Sequence, residues 1–320
     1  MTETPSAPLP DLKSLTTVED WLAALEDFGE EQGYFEPLGP KHSAVFLDRD
    51  PILLVTFETA DQIRRSSERA LPLGHEIVQN HGWSHLCIIA HDQTWFRDPA
   101  IYGYFDRLVD DGFFEDFDQV VFYGADMCGY AAAAFSVVAP GSTVLALSPQ
   151  ASLDPRVAEW DTRFARMRRA SFTDRYGFAP DMIEAADAAY ILYDPDEVED
   201  AMHAALFTRR NTRKLRLRGT GRAVEADLKA MGLLRPLLEM ACEGTLTPLG
   251  FHTLYRKRRS HLPYLEKLVR RLDDDGREEF AFAVCNNVIN RMRAPRLQAR
   301  MERLSMQGVC NPEPETEPAE

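Results

Sequence analysis

Apolar residues follow two rhythms along this 320-residue chain. Over residues 18–32, Trp21, Leu22, Leu25 and Phe28 recur at helical spacing among acidic neighbours, which predicts an amphipathic first helix. Residues 44–47 and 52–57 are β-rich and flank Asp48-Arg49-Asp50-Pro51, which predicts a hairpin. Four later runs, 85–90, 120–123, 143–147 and 189–193, are apolar at nearly every position, as parallel strands covered on both faces need. Helical stretches at 104–112, 128–138, 155–169 and 196–207 alternate with them, and residues 214–218 offer a last strand before a helix from about 222. The alternation predicts an α/β fold with a doubly wound, mostly parallel sheet. After residue 233 only the helical rhythm remains, as in Phe280, Val284, Cys285, Val288 and Met292, which predicts a helical C-terminal layer. The expected organisation is a frayed leader over 1–11, the α/β domain over 12–232, a basic helical region over 233–305 and an acidic disordered tail over 306–320.

Charge sharpens that division. The net charge of −15 comprises −22 over residues 1–207, +11 over 208–305 and −4 over the last fifteen. Hydrophobic content of 45% and charged content of 27% belong to a globular chain rather than a disordered or fibrous one. No apolar run approaches the length of a membrane span, and the first residues lack the pattern of a signal peptide, so the expected location is the cytoplasm. The five cysteines are scattered without a CxxC pair, and no dinucleotide, Walker, HExxH or EF-hand pattern occurs. Neither a cofactor nor a metal is therefore expected.

One stretch carries chemical content. Residues 120–135 read as a strand, a tight turn at Gly124-Ala125-Asp126-Met127-Cys128-Gly129, and a helix of small residues. That is the layout of a nucleophile elbow, which lifts one side chain above a sheet beside the N–H groups of a helix N-terminus. The stretch resembles the elbow of α/β-hydrolase-like proteins associated with bacterial surface polysaccharides, which read roughly Tyr-Gly-Ser-Ser-Met-Gly-Gly-Tyr-Ala-Ala. Residues 146–155 and the segment Tyr193-Asp194-Pro195 with Asp200 and His203 resemble the same proteins, and the likeness covers about 80–235. It implies an α/β-hydrolase-like fold, with Asp194 where that fold places its acid and Met127 as a ligand-binding residue.

Departures from the pattern bear on function. Asp126 stands in place of the nucleophilic Ser and Cys128 in place of a Gly, and Arg218-Gly219-Thr220-Gly221-Arg222 lacks the expected His, with Arg222 in its slot. Asp126 can be a carboxylate nucleophile, which still needs a base. It can be a ligand-binding group in a remodelled pocket, paired with Arg222. It can also be a turn residue capping the next helix. Cys128 is a candidate displaced nucleophile.

His91, leaving the strand at 85–90, is placed to approach the elbow, and the aromatic segment 94–105 with Arg97 to form a lid or to pack as core. Seven cations in the fourteen residues 209–222 could hold an anion or offset the acidic body; no nucleic-acid-binding motif accompanies them. The expectation is a diverged α/β-hydrolase-like protein lacking Ser-His-Asp chemistry, which binds a small anionic or carbohydrate-derived ligand. The alternatives are an active hydrolase with Asp126 as nucleophile, Asp194 or Asp200 as acid and a recruited base such as His252, or an interaction protein acting through its basic helical region. A phosphoadenosine phosphosulfate reductase assignment would need a Ser-Gly-Gly-Lys-Asp-Ser-like loop and a Glu-Cys-Gly-Leu-His-like terminus, and neither occurs.

Overall fold

A computed structural model describes residues 9–49 and 51–310. Most of the expected leader and tail, residues 1–8 and 311–320, lies outside the described residues. The strands are β1 (Gly33–Pro37), β2 (His42–Leu47), β3 (Ile52–Thr59), β4 (Ser84–Ala90), β5 (Gln119–Ala125), β6 (Thr143–Leu147), β7 (Ala188–Tyr193) and β8 (Thr212–Arg216). They form one sheet in the order β1-β2-β4-β3-β5-β6-β7-β8. From β4 through β8 every neighbouring pair is parallel, while β2 runs antiparallel to β1 and β4.

The helices accompanying the sheet are α1 (Val18–Gln32), α2 (Ala60–Ser66), α3 (Leu73–His81), α4 (Pro99–Asp110), α5 (Met127–Phe135), α6 (Pro155–Ala158), α7 (Ala179–Met182), α8 (Val198–Leu206), α9 (Val224–Ala230) and α10 (Leu234–Cys242). After them come α11 (Pro248–Tyr255), α12 (Leu262–Asp274), α13 (Glu278–Ile289) and α14 (Pro295–Met306). The fold is thus the expected doubly wound, mostly parallel, α/β-hydrolase-like sheet, followed by an all-helical region. The chain divides into two compact units between Gly250 and Phe251. No described helix is long and apolar enough to cross a membrane.

Alternation along the strands explains the layering. Leu53, Val55 and Phe57 of β3 join Phe105 of α4 and Phe135 of α5 in one core, with the Phe57 and Phe135 rings stacked at 5.6 Å. Thr56 and Glu58 face the other side, where the Glu58 carboxylate accepts the Leu73 N–H at the start of α3 at 3.0 Å. Both faces are covered, which is why β3 to β7 read as continuous apolar runs.

Two expectations are corrected. Residues 44–47 and 52–57 do not pair as a hairpin, because β4 lies between β2 and β3 and bonds to both. β4 is buried at all seven positions, so it needs strand partners on both edges, and it takes them at the hairpin's expense. The helix expected over 155–169 breaks after one turn at Ala158 and resumes only as a short 3-10 turn at Ala165–Arg169. Between them Asp161 turns into the protein to meet Arg163 and His203. β1 was not foreseen, since its five residues are half-exposed and end in Pro37.

Candidate functional site

At the end of β5 the chain turns sharply into α5, and Asp126 at the turn has φ 53° and ψ −118°. That lies outside the left-handed helical well, so a residue with a Cβ pays about 1–3 kcal/mol of backbone strain to occupy it. The neighbours enforce the turn. Asp126 N–H donates to Leu147 O at 2.8 Å, and its carbonyl accepts from Tyr130 N–H at 3.0 Å. A Cβ on Gly124 would sit 2.1 Å from Cys128 O, and one on Gly129 would sit 2.9 Å from Leu147 O. Both positions require glycine so that α5, with its buried run Ala131 to Ala134, can lie directly on the sheet.

The same dihedrals decide one of the open readings. Asp126 occupies the N-cap position of α5, yet its side chain makes no capping hydrogen bond. It stands instead in a pocket of about 400 Å³ with Met127, Asp200, Arg163, Arg222 and Gln150 among the lining residues. Desolvation by surrounding protein raises its pKa to about 7, the carboxylates of Asp200 and Glu225 add to the shift, and Arg163 opposes it. The residue is nevertheless exposed by area, on the pocket side. Water there tempers the shift, whose upward direction follows first from desolvation and then from the neighbouring carboxylates.

The walls are built by a polar network that sequence reading missed. Arg163 donates to both oxygens of Asp161 and, through Nη1, to Asp200 at 2.6 Å. Asp161 also accepts from His203 Nε2 at 3.0 Å, and His203 Nδ1 accepts the Ala151 N–H at 3.1 Å. The backbone donor fixes the tautomer, with the imidazole proton on Nε2 and directed at Asp161. Burial alone would raise the pKa of Asp161, but the bonds from His203 and Arg163 outweigh it and the net shift is downward. Burial likewise raises that of Asp200, against the pull of Arg163. The spacing Asp161-Thr162-Arg163 was the available signal. It repeats at Asp154-Pro155-Arg156, where the same local bonds form.

The other sequence-selected residues separate. Met127 lines the pocket, and its backbone N–H belongs to the first turn of α5, beside the β3–α2 junction where Thr59 and Gln62 also reach the pocket. Asp194 is buried and does not line the pocket. Its carboxylate accepts from Gly219 N–H at 2.9 Å, Gly221 N–H at 2.7 Å and Asp196 N–H at 3.0 Å. It therefore organises the loop Arg218 to Arg222 that follows β8. Arg222 reaches the pocket rim, 60% exposed, paired with Glu197 at 2.9 Å and Glu199 at 3.5 Å. Among the described residues no ion pair joins it to Asp126. His91 is hydrogen-bonded to Ser43 Oγ at 3.0 Å and is not among the pocket's lining residues.

Two further candidates are corrected by burial. Cys128 is 2% exposed and its thiol pKa is pushed well up by desolvation and by nearby carboxylates, so it is no activated nucleophile. The segment 94–105 packs as core rather than as a lid. Phe96, Ile101 and Phe105 are fully buried, and Arg97 pins the loop after α6 through Ser171 O and Arg175 O at 2.9 Å. Trp95 alone among its aromatics borders the pocket, donating its indole N–H to Gln150 at 3.2 Å.

On the opposite face of the sheet, Glu58, His85 and Cys87 bring one potential metal-ligating atom each within 4.8 Å of the others. Those groups already bond to one another. Thr56 Oγ1 donates to Glu58 at 2.8 Å, leaving it to accept from His85 Nε2 at 2.9 Å, while His85 Nδ1 accepts from His75 Nδ1 at 2.8 Å. Burial holds both imidazoles neutral, with His75 lowered to about 3. The chain of donors forms a buried hydrogen-bond cluster that ties α3 to the sheet, with His75 Nε2 left without a partner among the described residues.

No family model and no curated protein matches the chain. Solved structures match it at low identity. The capsule O-acetyltransferase of Neisseria meningitidis serogroup A is 11% identical over 62% of this chain and 92% of its own, with a TM-score of 0.40. Carboxyl esterase 2 from Tuber melanosporum is 12% identical over 64% of this chain and 81% of its own, with a TM-score of 0.42. Est1E from Butyrivibrio proteoclasticus is 13% identical over 68% of this chain and 98% of its own, with a TM-score of 0.43.

Proposed function

We propose that this α/β-hydrolase-like protein uses its elbow pocket to bind a small hydroxyl-rich, carbohydrate-derived ligand without covalent chemistry, with Asp126 as the central acceptor. The observation that carries this reading is a carboxylate held in strained backbone, uncapped and open to the pocket. A group kept in that state at a cost of stability is a functional candidate. Gln62, Gln93 and Gln150 add amide donors and acceptors around it, and Phe164 adds an apolar edge. Ionised Asp126 accepts from ligand hydroxyls. An anionic ligand is the weaker choice, because both pocket arginines are engaged, Arg163 by Asp161 and Asp200 and Arg222 by Glu197 and Glu199.

The hydrolase reading finds less support. The ester formed by an Asp nucleophile needs a base to activate water. No histidine is among the described residues lining the pocket, and His203 has both nitrogens committed to protein groups.

The test is a titration of the full chain, followed by NMR, with neutral and with uronic or phosphorylated saccharides, alongside an assay for turnover of short-chain nitrophenyl esters. Neutral saccharides are expected to bind, more tightly as pH rises through about 7, and Asp126→Ala to abolish that binding. Ester turnover lost in Asp126→Ala would replace this reading with the hydrolase. Binding confined to the anionic sugars and indifferent to Asp126→Ala would replace it with an anion site elsewhere.

A further inference from the structure

The helical unit from residue 251 onward carries a second concave surface, independent of the elbow pocket. α12, α13 and α14 share a core of Leu265, Val269, Leu272, Ala281, Cys285 and Leu304. An ordinary bundle helix spends its apolar residues on one such face. α13 has more than it spends. Ala281, Cys285 and Val288 belong to the core, and beside them Phe280, Ala283 and Val284, together with Asn287 and Arg291, form a stripe at i, i+3, i+4, i+7 and i+11 spacing that continues the core outward, Val284 packing on the core and Val288 also reaching the groove. This stripe and Leu265, Leu268 and Leu272 of α12 line a groove of about 680 Å³. Phe280 is 45% exposed on it.

The rim of the groove is cationic. Arg259 and Arg291 stand together at one end, where Arg291 Nη2 donates to Arg259 O at 3.2 Å. Arg277 stands at the other end, its guanidinium 4.3 Å from the centre of the Phe280 ring. No acidic residue lines the groove, and among the described residues none of these three arginines forms an ion pair. Elsewhere in the same unit Arg296 and Arg300 are paired with Glu266 and Asp273, so carboxylates are present but placed away from this face.

An apolar floor about as long as one helix, with cations at both ends, fits one kind of occupant. We propose that the α12–α13 groove docks an acidic amphipathic helix of a protein partner, its apolar residues at i, i+3 or i+4 and i+7 seated against Phe280, Val284, Leu268 and Leu272, and its carboxylates paired with Arg259, Arg277 and Arg291. The chain's own acidic stretch 311–320 has the charge but no apolar residue larger than proline with which to fill the floor. A second copy packed symmetrically on the groove would bring arginines against arginines. A nucleic acid would leave the Leu and Phe floor facing phosphates.

The experiment measures fluorescence anisotropy of a labelled synthetic helix no longer than the 12 residues of α13, with Leu and Trp on one face and Glu at both ends, titrated with the full chain. Two controls are its Lys-for-Glu counterpart and a scrambled sequence. The acidic helix is expected to bind in a salt-sensitive manner, and both Phe280→Asp and the double change Arg277→Glu with Arg291→Glu to weaken it by about tenfold or more. Phe280 and both arginines are exposed, so the variants are expected to keep wild-type helicity by circular dichroism. A variant that loses helicity is replaced by Val284→Lys, read in the same way. Equal binding of the Lys or scrambled peptide, or no binding of any, would overturn the proposal. So would concentration-dependent dimerisation of the chain abolished by Phe280→Asp, or duplex DNA binding lost in the double arginine variant.

Discussion

At the carboxyl end of β5 the chain holds one carboxylate in strained backbone and leaves it bare, whereas in the loop after α6 and at the end of β7 it buries carboxylates and saturates them. Asp126 makes no capping bond and faces an open pocket. Asp194 accepts three backbone N–H groups, and Asp161 is held by Arg163 and His203. The same residue type is thus used in opposite ways within one sheet. A buried carboxylate with all its acceptors filled supports the fold, while an unsatisfied one held against strain is a group the fold supports. Asp194 reaches the loop after β8 and is filled there by backbone amides, whereas Asp126 meets no such donors among the described residues.

Three substitutions can break or sharpen that contrast. The largest effect is expected for Asp161→Ala, which leaves the buried His203 and Arg163 without their shared partner and should cost about 3–5 kcal/mol in denaturant unfolding. Because the pKa of Asp161 is depressed in the folded state, its contribution is present above the ordinary carboxylate range and is lost as pH falls below that range toward the lower folded value. The penalty of Asp161→Ala should therefore shrink in acid. Asp194→Ala should cost less, about 1–3 kcal/mol, since it strands backbone donors near the surface that water can reach after local opening. Hydrogen exchange should then rise at Gly219 and Gly221 first.

Asp126→Gly should move stability the other way and least, upward by about 1 kcal/mol, as relief of strain outweighs the entropy glycine adds to the unfolded chain. The sign with pH is set by its raised pKa. The folded form keeps the proton more firmly than the unfolded one, so the wild type loses stability as pH rises from about 4 toward about 7 and no further above that. The glycine variant should lack that slope. If thermal melts show Asp126→Gly to be destabilising, Asp126 belongs with Asp161 and Asp194 as a structural group, and the contrast collapses.

The sequence by itself determined much of the sheet. Strands buried on both faces must be apolar throughout, so β4, β5, β6 and β7 were legible, as was the elbow, because only glycine fits at positions 124 and 129 and only small residues let a helix lie so close. What it could not determine were partners distant in the chain. β4 separates β2 from β3, and Asp161, Arg163, Asp200 and His203 converge from the loop after α6 and from α8. Local spacing carries no record of such meetings, since each residue there has an equally good solvent-exposed conformation when considered alone. Tertiary packing decided them, and with them whether each acidic residue would be satisfied in the interior or left open to a ligand, because desolvation makes every buried charge find a partner and only the completed fold says which ones can.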